Sequence, residues 1–305
     1  MASVAESEDR PRARGAKIRA IKAKGPLIYR QSVWTRITHW VWVVCLFFLL
    51  ASGLNIFNAH PTLYFGAQSG FPDLQSNGQH LDNAWLQIGA VDSENGPHGA
   101  VALFGHMFDS TPLGLGMSGD PANPSYVAFP GWLTIPSYYD LGTSRVVHFF
   151  FAWILVVTLL VWLVASIINR HIAGIPPLGR DWRRLPGDIA NHLRLRFEHS
   201  REYNVLQKIA YSIVLFILFP LIVLTGLTMS PGMDSAAPWL VELFGGRQSA
   251  RSIHFLTMAT LVLFFVVHVV MVVLAGPVNE LRQMITGRYR AGTDVPFDPR
   301  LGDRP

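Results

Sequence analysis

Four apolar runs, at residues 38–57, 146–168, 209–229 and 253–275, constrain this chain more than any other feature of its sequence. Each is close to the ~20 residues that a helix needs to cross the hydrocarbon core of a bilayer. In lipid every backbone N–H and C=O must be paired within the segment, so isolated runs of this length become helices. The expected fold is all-α: an integral membrane four-helix bundle with a long extracytoplasmic loop between the first two helices. Composition agrees, with 50% hydrophobic against 15% charged residues. The expected organisation is a basic cytoplasmic tail over 1–33, a transmembrane domain over 34–276 and a cytoplasmic C-terminal tail over 277–305. The first run is too long for a signal-peptide core and follows a basic stretch from Arg10 to Arg36, so it reads as an uncleaved anchor.

Lysine and arginine set the orientation, because cytoplasmic segments carry their excess. Residues 1–36 hold nine, 169–208 hold eight and 275–305 hold five, whereas 58–144 hold none against seven acids. Both termini and the middle connection are therefore expected in the cytoplasm, and 58–144 and 230–250 outside, in a multi-pass protein of the bacterial inner membrane. The formal net charge of +5 flanks apolar spans and does not suggest a nucleic-acid partner. The outer segment is rich in Gly, Pro, Asn and Ser and poor in helical periodicity, so it is expected to be a lid or docking surface. Trp132, Tyr138 and Tyr139 near its end suit an interfacial aromatic belt.

Ionisable residues inside such spans are costly and mark function. His39, His148, His254 and His268 lie in or at the edge of the spans, and the single cysteine, Cys45, excludes an iron–sulfur cluster held by this chain alone. His254 and His268 are 14 residues apart, which means roughly 21 Å of rise and about 40° of rotation, hence one face at two depths. With the orientation above, His148 is level with His254 and His268 with His39. Two bis-histidine haem sites are expected, His39/His268 on the inner side and His148/His254 on the outer.

Arg36, Arg145 and Arg251 each precede one of these histidines by three residues, on the same helix face and nearer water, where a guanidinium can pair with a haem propionate. Gly53 and Gly226 fall where a missing side chain would let a porphyrin approach. Zinc or copper sites usually add a carboxylate or thiolate, and no Asp or Glu lies within the four runs, so haem is the better fit. His60, His80, His98, His106, His171, His192 and His199 read as solvated loop residues, with a supporting role near the haem mouth left open to the outer ones. Asn204, Gln207 and Lys208 stand where the third run begins, at helical spacing, and offer hydrogen-bond partners for the carbonyls of a quinone.

Taken together, SVWTRITHWVW, GWLTIPSYYDLGTSRVVHFFFAW, YNVLQKIAY with LTGLTMSPGM, and FGGRQSARSIHF with His268 make the chain resemble the cytochrome b subunits of nickel–iron hydrogenases, formate dehydrogenase and thiosulfate reductase. The thiosulfate-reductase-like branch is the most similar. The resemblance spans nearly all of 30–290, and the family's ligands map onto His39, His148, His254 and His268. It implies two b haems and electron transfer between membrane quinone and a periplasmic oxidoreductase partner, for instance a molybdenum enzyme. A self-contained cytochrome that oxidises superoxide and reduces quinone is the alternative. Basic outer residues would favour that alternative by steering anions, and the acidic outer segment does not supply them. A non-redox scaffold or transporter would have no use for four level-matched histidines.

Overall fold

The computed structural model describes residues 25–69, 84–94, 96–120, 122–194, 203–293, 295, 296, 298 and 303. The tail before residue 25, His80 and His199 fall outside them. Strand β1 (Leu27–Tyr29) leads into helix α1 (Val33–Phe57), which starts at Ser32 because the Ser32 hydroxyl accepts from the Thr35 N–H at 3.1 Å. The chain then builds β2 (Thr62–Tyr64), β3 (Ala84–Ser93), β4 (Gly96–Leu103) and β5 (His106–Asp109), followed by a small hairpin of β6 (Ser118–Asp120) and β7 (Asn123–Ser125). Helix α2 (Leu141–Ile168) is capped by Asp140, whose carboxylate accepts from the Thr143 N–H at 3.1 Å. After it come α3 (Asp181–Leu193), α4 (Val205–Ile213), a π-helical turn (Val214–Leu218), α5 (Phe219–Thr228), α6 (Pro231–Ala236), α7 (Pro238–Leu243), α8 (Arg247–Ala275), α9 (Pro277–Thr286) and β8 (Arg288–Arg290).

Four stretches of these helices are long and apolar enough to cross a membrane: Val33–Phe57, Leu141–Ile168, Val205–Thr228 and Arg247–Ala275. They match the four expected runs and extend most of them at the ends. The third is continuous through α4, the π turn and α5. Pro220 lacks an N–H, and the π turn just before it takes up the break in the i to i−4 ladder without ending the span. Their shared interior holds Trp42, Cys45, Leu155, Trp162, Phe219 and Leu261. Trp42 organises this core: its ring meets Trp162 at 5.9 Å and Phe219 at 5.4 Å, and its indole N–H donates to Thr158 Oγ1 at 3.0 Å. A buried indole needs such a partner for its N–H.

The all-α expectation needs one correction. The segment after α1 contains an antiparallel sheet of order β2-β3-β4-β5, with Leu86 opposite Leu103 and Ile88 opposite Val101. Short strands separated by glycine turns carry little helical periodicity, which is why the segment reads as irregular. Its apolar side chains are not idle: Leu63, Trp85, Leu86 and Ile88 bury with Phe57 and Ala128 in a second core.

Polar groups fix this sheet to the bundle. Trp85 Nε1 donates to Ser252 Oγ at 2.9 Å, the Gly66 N–H donates to Ser249 Oγ at 2.7 Å, and the Gly66 carbonyl accepts from the N–H groups of Gln248 and Ser249 at 3.1 Å each. The sheet thus satisfies first-turn donors of α8 that have no partner within the helix. Gly246 is required at this junction, because a Cβ there would stand 2.6 Å from the Gly66 carbonyl oxygen. Asn55, fully buried near the end of α1, donates to the carbonyls of Pro136 and Tyr138 at 2.8 Å each and accepts from the Asp140 N–H, so it holds the start of α2 against α1. Trp132, Tyr138 and Tyr139 are exposed here, as an aromatic belt would be.

At the opposite end β1 pairs with β8, which brings the two ends of the described chain together. The Arg30 guanidinium lies over the rings of Tyr203 and Tyr289, at 4.6 and 4.8 Å, and Gln31 Nε2 donates to the Tyr203 hydroxyl at 2.6 Å. We refer below to the sheet end and the termini end.

Candidate functional site

The four span histidines form two facing pairs. His39 of α1 and His268 of α8 have ring centres 6.4 Å apart; His148 of α2 and His254 of α8 have theirs 6.5 Å apart, and both pairs are inclined at 56°. These are the partners expected from the sequence, the second pair at the sheet end and the first toward the termini. An imidazole nitrogen sits about 2 Å from a bound metal and its ring centre roughly 1 Å farther, so two rings on opposite sides of one ion stand roughly 6 Å apart. Both pairs have that spacing. Among the described residues no group of three or more His, Cys, Asp or Glu side chains could hold a metal ion. Two facing imidazoles with no third protein ligand would suit a metal whose other positions a macrocycle fills, the donor set of a bis-histidine haem.

Hydroxyl groups orient the sheet-end pair. Ser52 Oγ donates its proton to the Phe48 carbonyl at 2.6 Å, so at 3.1 Å from His148 Nδ1 it can only accept. Thr225 Oγ1 repeats this, donating to the Leu221 carbonyl at 2.6 Å and standing 3.0 Å from His254 Nδ1. Both imidazoles therefore carry the proton on Nδ1 and present the Nε2 lone pair, the form that ligates a metal.

The residue after each hydroxyl is a glycine. A Cβ on Gly53 would lie 3.2 Å from His148 Cε1, and one on Gly226 3.3 Å from His254 Cε1. The space expected to admit a porphyrin is thus used by the imidazoles themselves. Ser52-Gly53 on α1 backs the histidine of α2, and Thr225-Gly226 on α5 backs that of α8, so two helix hairpins share one local design. The signal was present in the sequence as Ser-Gly-Leu and Thr-Gly-Leu, but only the contacts reveal its use.

The termini-end pair is built differently. His39 Nδ1 is buried without a hydrogen-bond partner, His39 meets Trp40 edge-on at 5.4 Å, and Phe264 stacks on His268 at 5.7 Å.

The three arginines diverge. Arg251 donates to the carbonyls of Thr62, at 2.9 Å, and His60. Arg36 Nη1 donates to the Ile285 carbonyl at 2.6 Å while its buried Nε has no partner. Arg145 is exposed and lies over the Phe149 ring at 5.8 Å. Asn204 and Gln207 form a reciprocal capping box at the start of α4, with Gln207 N donating to Asn204 Oδ1 at 2.8 Å and Asn204 N to Gln207 Oε1 at 3.3 Å. Lys208 pairs with Asp181 at 2.9 Å; the Leu178 N–H, and after it that ammonium, hold the Asp181 carboxyl below the usual range.

His60 departs from the expectation of a solvated loop residue. Its Nε2 is buried without a partner, its ring stacks on Tyr64 at 5.8 Å, and burial together with the Arg251 charge lowers its pKa. His171 is likewise shifted down by burial, and His192 Nδ1 lies 2.8 Å from the Asp188 carbonyl.

Comparison with known proteins adds two findings. A provisionally named protein-methionine-sulfoxide reductase subunit YedZ1 of Azospira oryzae is 26% identical over 264 residues, covering 83% of this chain and 94% of that protein. The model of the family described as prokaryotic cytochrome b561 matches residues 30–287, a stretch that contains all four paired histidines and every helix that crosses the bundle, so the chain belongs to that family.

Proposed function

We propose that this membrane cytochrome b carries two b-type haems, one between His148 and His254 and one between His39 and His268, and passes electrons between membrane quinone and an oxidoreductase partner. The observation that carries the reading is the pair of 6.4 and 6.5 Å imidazole spacings, one of them with its tautomers already set by Ser52 and Thr225. Haem held by these two histidine pairs would supply one-electron chemistry. The protein's part is to present the four imidazoles, to exclude water with the core around Trp42, and to keep one member of each pair on α8, where Leu261 lies midway between His254 and His268.

Lysine and arginine counts put the termini end in the cytoplasm and the sheet end outside the inner membrane. The sheet is then the surface that an oxidoreductase subunit meets. The name of the Azospira relative, a methionine-sulfoxide reductase subunit, supports an oxidoreductase as the partner. We place quinone at the termini end, by Asn204, Gln207 and Lys208. Support comes from their position at the mouth of the third span, joined through Tyr203 and Gln31 to the helix that carries His39. A reduced-minus-oxidised spectrum with haem quantitation on the purified chain tests the reading. Two b haems per chain are expected, and one or none would overturn it.

A further inference from the structure

This inference rests on the di-haem reading. The sheet end contains a cavity of about 350 Å³ lined by His60, Met229, Arg247, Gln248 and Arg251. Arg251 stands one turn before His254 on the same face of α8, so the cavity lies on the sheet side of the His148/His254 pair. Two lining side chains hold buried polar atoms without partners, His60 Nε2 and Gln248 Oε1. Two guanidinium groups border the same space, Arg251 anchored on the carbonyls of Thr62 and His60 and Arg247 on that of Met229 at 2.6 Å. Among the described residues no Asp or Glu lines it. Native proteins rarely leave buried nitrogens unpaired, and two cations beside one call for an anion.

We propose that the cavity is a carboxylate site in which His60 Nε2 and Arg251 hold a propionate of the haem between His148 and His254, so that His60 ties that haem's midpoint potential to proton uptake. His60 is a positioning residue: it touches the periphery of the cofactor and not the iron. Burial and the Arg251 charge lower the pKa of His60, and burial pushes that of the Tyr64 hydroxyl beside it upward. Besides the guanidinium groups of Arg247 and Arg251 and the hydroxyl of Tyr64, His60 is the titratable side chain that faces this space among the described residues. One electron added to the haem makes the site more negative and raises the affinity of His60 for a proton from water at the sheet end. The sign follows from linkage: the midpoint falls as pH rises between the His60 pKa of the oxidised and of the reduced protein, and is flat outside that window.

The test is a spectroelectrochemical titration of the purified holoprotein across the neutral pH range, in wild type, His60→Gln and His60→Phe. The component that His148→Ala removes should have a pH-dependent midpoint in wild type. That slope should vanish in both His60 variants while the His39/His268 component is unmoved. His60→Gln keeps a donor for the carboxylate and guards against a folding defect in His60→Phe. A slope that survives both substitutions at wild-type haem content overturns the proposal and leaves the di-haem reading intact. Failure of His148→Ala to remove any haem overturns both. Acetate distinguishes a soluble carboxylate from the propionate: no spectral response supports the propionate, whereas a saturable response lost in Arg251→Gln overturns that assignment.

Discussion

The hydroxyl of Ser52 stands 3.1 Å from His148 Nδ1 with its own proton turned to the Phe48 carbonyl, so it fixes the tautomer of a histidine on the neighbouring helix. Serine and threonine in membrane helices commonly spend their proton on the carbonyl one turn back. Here that local bond converts a donor into a committed acceptor. Thr225 does the same for His254, and the termini-end histidines show no such hydroxyl among the described residues.

Ser52→Ala and Thr225→Val should each weaken haem retention at the sheet-end site by about 10–100-fold, the usual cost of removing a ligand's hydrogen-bond partner. The His39/His268 site should be unaffected. Haem dissociation measured by transfer to an excess of apomyoglobin checks this. Equal losses at both sites would count against a local role for the hydroxyls.

Gly53→Ala and Gly226→Ala invert an ordinary expectation. Alanine in a helix interior is normally favoured over glycine by roughly 0.5–1 kcal/mol. At these positions the added Cβ would press on His148 or His254 at 3.2 or 3.3 Å, so the ring must shift off its axis or the helices must part. The sheet-end haem should become partly high-spin or be lost, while helix content stays at the wild-type level. Low-temperature EPR and circular dichroism on the same sample separate the two effects.

Substitution of the four histidines by alanine should sort them by pair. His39→Ala and His268→Ala are expected to remove one spectral component, and His148→Ala and His254→Ala the other. Loss of different components within a pair would break the assignment.

The four spans and the His pairing were legible because hydropathy over a membrane span and a 14-residue spacing on one helix are long signals that tertiary context does not override. The sheet was not legible. Its strands run from three to ten residues, and Trp85 and Ser252, which pin it to α8, lie 167 positions apart. Asn55 shows the same limit: only the structure shows that the Pro136 and Tyr138 carbonyls and the Asp140 N–H satisfy its buried amide. His60 reads as a solvated loop residue because Arg251, whose guanidinium meets its carbonyl, lies 191 positions away in the chain.

Reporter fusions decide the sidedness on which the quinone and partner assignments depend. A fusion after Gly99, in β4, and one after Arg183, in α3, should report opposite faces of the membrane, the first outside. The same face for both would overturn the orientation.

Asn204 and Gln207 carry two claims that must be separated, because both side chains already cap α4. Alanine at the cap costs about 1 kcal/mol of helix stability, so a loss of turnover in Asn204→Ala would report either fraying or a lost quinone contact. Asn204→Asp keeps the acceptor for Gln207 N, and Gln207→Glu keeps the reciprocal acceptor, since serine-like caps pair equally with Glu or Gln at the third position. What both remove is an amide N–H that can donate to a quinone carbonyl. With thermal stability and haem content at wild-type levels, quinol turnover should fall several-fold in each if quinone binds here. Lys208→Met should break the ion pair with Asp181 and so release the start of α3 from α4, visible as faster amide exchange over 181–188. Unchanged turnover in both conservative variants, with loss on substitution of Arg247, would move the quinone site to the sheet end.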